Sequence, residues 1–160
     1  MNPRTAVKIG SLAILVCALG TFGWSARAES QALSARLFTV PPNNEIRFAS
    51  GSAMWCVQVE PINGNFQVTD INACTVTLNS PGTGSVSQIS YDCTKTTLVS
   101  DADGNGIQDI RFCFLKTAMQ PLFDQLHGRQ PKTVTLTVQG NLTTGQAFGG
   151  SITLLLYLKD

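Results

Sequence analysis

Apolar and polar residues alternate at period two in several short stretches, the pattern of strands with one buried face. From Met54 to Glu60, Trp55, Val57 and Val59 fall on one side and Cys56 and Gln58 on the other. From Ala73 to Asn79, Cys74, Val76 and Leu78 oppose Thr75 and Thr77. Asp109 to Leu115 places Ile110, Phe112 and Phe114 together. Lys132 to Gln139 sets Val134, Leu136 and Val138 against Thr133, Thr135 and Thr137. Ala147 to Leu158 runs back from a turn at Gly140 to Gly145, and Ser85 to Tyr91 reads as one more strand. Pro61 to Asn65 and Pro81 to Gly84 are turns by composition.

Two segments depart from period two. Ala32, Leu33, Ala35 and Leu37 fit either a short helix or an edge strand, ended by Pro41-Pro42. Thr117-Ala118-Met119-Gln120 fits a capping box and opens a helix whose apolar stripe is Leu122, Phe123 and Leu126, stopped by Gly128. Many short strands with one short helix predict a mainly β fold, an immunoglobulin-like antiparallel β-sandwich.

The first 28 residues read as a secretory signal peptide. Arg4 and Lys8 precede a mostly apolar run from Ile9 to Trp24, and Ala26-Arg27-Ala28 is an A-x-A cleavage site. The run is short for a bilayer span of about 20 residues, which favours cleavage over an anchor. Val16 before Cys17 argues against lipidation. The expected organisation is a leader at 1–28, an N-terminal extension at 29–43 and the sandwich at 44–160, with no membrane span after cleavage. The setting is secreted, periplasmic or at the cell surface.

Cys56, Cys74, Cys93 and Cys113 are then an even set in an exported chain, spaced by 18, 19 and 20 residues. Two disulfides follow, and the absence of C-x-x-C argues against zinc or a redox pair. Of the three connectivities, Cys56–Cys113 with Cys74–Cys93 is preferred. Cys56 and Cys113 lie in strands, on the faces opposite the bulky residues, where they can bridge neighbours.

The chain of 160 residues is 13 % charged with a net charge of +1. Arg4, Lys8 and Arg27 lie in the leader, so eight bases face ten acids beyond it. That balance gives no support to nucleic-acid binding. A catalytic role is not expected either. His127 is the sole histidine, neither G-x-S-x-G nor G-K-[ST] occurs, and no residue is assigned as catalytic.

The sharpest chemistry is Asp101-Ala102-Asp103-Gly104-Asn105-Gly106-Ile107-Gln108-Asp109. Oxygen side chains recur at positions 1, 3, 5 and 9 of this stretch, with glycine at 6 for a sharp turn. Asp101, Asp103, Asn105 and Asp109, with the carbonyl of Ile107, make an all-oxygen set that suits Ca²⁺ better than Mg²⁺. Phe112 stands where an EF-hand has glutamate, and a strand follows instead of a helix. Asp92 and Glu60 are the other acids that the fold could bring near. Three carboxylates predict weak binding, on the order of 10⁻⁵ to 10⁻³ M. Cys93 and Cys113 flank the loop and predict a static site. The competing reading is a solvated acidic turn.

Together these segments resemble a module of exported bacterial proteins of the immunoglobulin- or cohesin-like sandwich type. The likeness rests on Asp70-Ile71 running into Thr75-Val76-Thr77-Leu78-Asn79, on the acidic loop leading to Asp109-Ile110, and on Val134 to Gly140 followed by Gly145, Phe148 and Gly150. It spans about residues 44–156. It implies a sandwich, a calcium-type loop and a surface or secreted setting, but no activity. Asn105 stands where that pattern commonly has aspartate, and the four cysteines are additional. The expected function is a non-catalytic calcium-binding structural or interaction module, an accessory or partner subunit of an envelope or surface assembly. The alternative is a carbohydrate-binding module recognising a polysaccharide. Against it, Trp55 is in phase with Val57 and Val59, which places it in the core.

Overall fold

The computed structural model describes residues 31–49 and 51–158. The segment expected as a leader, with Cys17, lies outside these residues. Among the described residues nine strands form one sheet: β1 Leu33–Phe38, β2 Glu45–Arg47, β3 Met54–Pro61, β4 Ile71–Asn79, β5 Gln88–Ser90, β6 Leu98–Ser100, β7 Asp109–Leu115, β8 Lys132–Leu142 and β9 Ala147–Tyr157. The order across the sheet is β5-β4-β8-β9-β1-β3-β7-β6, with β2 also on β9. The one α-helix among the described residues, α1, spans Lys116–Met119. The mainly β architecture with one short helix is the one the alternation predicts.

The sheet curls because β1 changes partners halfway along. Leu33 and Ser34 pair in parallel with Phe148 and Gly149, whereas Ala35 to Phe38 pair antiparallel with Pro61 to Gln58. The segment expected as an extension therefore carries hydrogen bonding from one half of the sheet to the other. The pairings of β1 and β2 with β9 are parallel, where the pattern predicts antiparallel pairing throughout. The crossing needs a glycine, since a Cβ at Gly150 would lie 2.2 Å from the Ala35 carbonyl oxygen.

Inward residues of both halves meet in a single core. Val57, Val59, Phe112 and Phe114 from one half join Val76, Leu136, Val138, Ile152 and Leu154 from the other. Trp55 is buried there, as its phase requires. Tyr91 stacks edge-on against Phe112 and Phe114, at 4.9 and 5.8 Å between centroids. Burying one such large side chain contributes roughly 1.5–3 kcal/mol. Both disulfides form as preferred, Cys56–Cys113 directly across β3 and β7, and Cys74–Cys93. Cys74 is exposed because the register of β4 shifts between Asn72 and Thr77, which turns it off the Val76–Leu78 face.

Two elements are shorter than predicted, for one reason. Residues 83–86 dock on the turn after α1. Pro121 O accepts Val86 N–H, Leu122 O accepts the Thr83 hydroxyl at 2.6 Å, and Asp124 accepts Ser85 N–H at 2.7 Å. These carbonyls are spent on the loop, Pro121 has no N–H to give, and the helix tightens to a 3-10 turn at Gln120–Leu122. The same contacts draw Ser85 and Val86 away from the sheet, leaving β5 with three residues. Leu115 rather than Thr117 is the N-cap, with no side-chain cap bond. β2 and β6, three residues each, have no alternation long enough to predict. Among the described residues no helix is long and apolar enough to cross a membrane.

The crossing at Gly150 yields a prediction. Gly150→Ala should lower stability by about 1–3 kcal/mol, the usual range for forcing atoms into a packed site, as read by urea unfolding. A variant as stable as the parent would contradict the crossing geometry.

Candidate metal centre

The outer face of β3 and β7 collects acids by strand periodicity. Val57 and Val59 point inward, so Gln58 and Glu60 point out. Ile110 is the partner of Val59, which puts Asp109 across from Glu60. Asp109 in turn pairs with Ser100 of β6. The loop 101–108 then brings Asp103 over this row. Carboxylate oxygens of Glu60, Asp103 and Asp109 all lie within 4.8 Å of one another.

Two of the three are desolvated. Glu60 and Asp109 are 4 % and 0 % exposed, while Asp103 faces solvent. Burial raises the Asp109 pKa, and the charges of Asp103 and Glu60 add to that rise. Asp109 accepts Ala102 N–H at 2.7 Å and the Ser100 hydroxyl at 3.4 Å, which pull the other way.

The site already holds one cation, Arg36. Its Nε and Nη2 each donate to Glu60 at 2.8 Å, a bidentate pair, and Nη2 also donates to Asp103. The guanidinium stacks 4.3 Å from the Phe38 ring centroid. These bonds, Glu60 first and Asp103 second, raise the Arg36 pKa above its ordinary value. Arg36 likewise lowers the Asp103 pKa, so Asp103 stays ionised.

The remaining loop residues fix the backbone. Asp101 accepts the N–H groups of Asn105 and Gly106, both at 2.9 Å. Asn105 Oδ1 accepts Ile107 N–H at 2.8 Å, and its Nδ2 donates to Glu60 at 2.8 Å. Gly104 and Gly106 take φ of +73° and +87°, the region the sharp turn needs. Of the five expected ligands, Asp103 and Asp109 meet in the cluster. Asp101 and Asn105 spend oxygens on loop N–H groups, and Ile107 enters through its own N–H.

Of the two further acids that the sequence offered, Glu60 joins the cluster, in phase with Gln58, whereas Asp92 lies outside it and accepts the Thr94 N–H and hydroxyl. Arg36 carried no signal, because its strand is too short and mixed to read. His127, exposed beside Gly128, lines a separate cleft with Phe48, Phe123 and Leu126. No family model, curated protein or solved structure matches the chain.

Removing the guanidinium would leave Glu60 buried without a counter-charge. Breaking a fully buried pair costs about 3–5 kcal/mol. The Arg36 side chain is 42 % exposed, so Arg36→Met should cost about 1–3 kcal/mol without added metal. Urea titration in chelator checks this, and an unchanged midpoint would contradict it.

Proposed function

We propose that this chain is an exported, non-catalytic structural module whose acidic loop binds calcium, serving as a partner subunit in an envelope or surface assembly. The observation that carries the reading is the gathering of Glu60, Asp103 and Asp109 oxygens within 4.8 Å. Three carboxylates from β3, β7 and the loop offer only oxygen, the donor set of a hard cation. A divalent ion there would offset the desolvation of the Asp109 carboxylate and its repulsion by Asp103 and Glu60. Two disulfides suit an oxidising compartment outside the cytosol. The strand order ends at β5 and β6, so a partner chain that adds a strand would add there.

Arg36 sets the affinity. Its guanidinium and the ion seek the same oxygens of Glu60 and Asp103, so binding is weak and tuned to extracellular concentrations. At calcium one hundredfold above Kd, linkage adds about 2.7 kcal/mol of stability.

Thermal unfolding of the oxidised protein in EGTA and then in 10 mM calcium tests this. The midpoint should rise by several degrees, and Asp109→Asn should abolish the rise. Arg36→Met, less stable in EGTA, should bind calcium more tightly than the parent. A midpoint that calcium leaves unmoved in both the parent and Arg36→Met would make the loop an ordinary acidic turn.

A further inference from the structure

The outer face of β4, β8 and β9 lies away from the acidic cluster and has its own chemistry. Register places Ser90, Thr77, Gln139 and Gly149 in one row across four strands, and Gln88, Asn79, Thr137 and Ser151 in the next. Neither row holds a charge, although a soluble surface is typically about 25–35 % charged. The hydroxyls are ordered by cross-strand bonds, Thr137 to Ser151 at 2.9 Å and Thr135 to Thr153 at 3.1 Å.

A groove of about 410 Å³ is cut into this face, within the roughly 300–1,000 Å³ of ligand pockets. Its polar walls are Thr75, Thr77, Gln88, Gln139 and Asn141, and none of its lining residues is charged. Gly149 forms part of the floor. No close contact requires glycine there. Its φ is not positive, and a Cβ there would sit at ordinary contact distances, 3.6 Å from Val138 O and 3.7 Å from Gln139 Cβ. Gly140 and Gly150 differ, since a Cβ would crowd Phe148 at 3.0 Å or the Ala35 carbonyl oxygen at 2.2 Å. Glycine inside a strand weakens it and often accompanies a bulge, a bend or the close approach of a ligand or another backbone. The β8–β9 register runs unbroken through Gly149 and no backbone crowds its Cβ position, which leaves the approach of a ligand.

We propose that this groove binds a neutral oligosaccharide, laid over Gly149 and hydrogen-bonded by the amides of Gln88, Gln139 and Asn141. Amide side chains both donate and accept, as sugar hydroxyls do. An anionic ligand would find no cation in the lining. An apolar ligand would strand these amides and hydroxyls without partners. A neutral, hydroxyl-rich ligand satisfies both conditions. This site does not depend on the calcium reading.

The test is an NMR titration of the isotope-labelled protein in EGTA with maltohexaose, cellohexaose and mannohexaose, each to 10 mM. At least one sugar should shift the backbone amides of residues 75–77, 139–141 and 149 with millimolar affinity. Gly149→Val should keep the parent's melting temperature or raise it, and should weaken that binding at least tenfold. Gln139→Ala should weaken it by about threefold to tenfold, which converts to roughly 0.7–1.4 kcal/mol. Three sugars without shifts at these amides would overturn the proposal, as would undiminished binding by both variants. A concentration-dependent dimer that Gly149→Val abolishes, with no sugar response, would assign the face to a second copy and overturn it as well.

Discussion

The bidentate pair between Arg36 and Glu60 is the interaction through which the fold and the acidic site depend on each other. Glu60 is buried at the end of β3, where an uncompensated carboxylate would be strongly destabilising. Asp109 is buried across from it, and Asp103 comes over both. The three acids repel, and Arg36 is the cation that the chain supplies to them. Arg36 reaches this place only because β1 leaves β9 after Ser34 and joins β3 at Ala35. The crossing that curls the sheet therefore also delivers the counter-charge.

The same face shows how covalent and ionic ties share the work. Cys56, Gln58 and Glu60 alternate along the outer side of β3, so the Cys56–Cys113 bridge lies two rows from the Glu60–Asp109 pair. The loop that carries Asp103 starts after β6 and returns into β7, which the bridge fixes to β3. Its backbone N–H groups are taken up by Asp101, Asn105 and Asp109. These bonds close the turn, and the Arg36–Asp103 pair pins it to the sheet, so with both in place the loop has a definite shape before any ion arrives. In the proposed function an ion would then add charge compensation rather than build the loop.

Much of this was legible in the sequence because period two is a direct readout of a half-buried strand. β3, β4, β7 and β8 carry it, β9 shows as a run rich in Ile, Leu and Phe, and Trp55 went to the core with its phase. The D-x-D-G-N-G stretch announced an oxygen-rich turn, and Cys56 and Cys113 announced their bridge by lying on matching faces. What stayed hidden was set by contacts distant in sequence. The helix shortens because Thr83 and Val86 take its carbonyls. β1 is read as an extension because six mixed residues show no clear period, so Arg36 gives no sign of its role. The neutral groove needs four strands in register before Gly149 stands out from the glycines that packing requires.

The central claim, that Arg36 holds the acidic loop on the sheet, is tested most directly by amide hydrogen exchange without metal. The N–H groups of Ala102, Asn105, Gly106 and Ile107 should be protected in the parent protein. In Arg36→Met their exchange should quicken at least tenfold, while the β8–β9 hairpin should keep its protection. Equal exchange of these four amides in the two proteins would show that the loop's own hydrogen bonds hold it in place without Arg36, and would contradict the account.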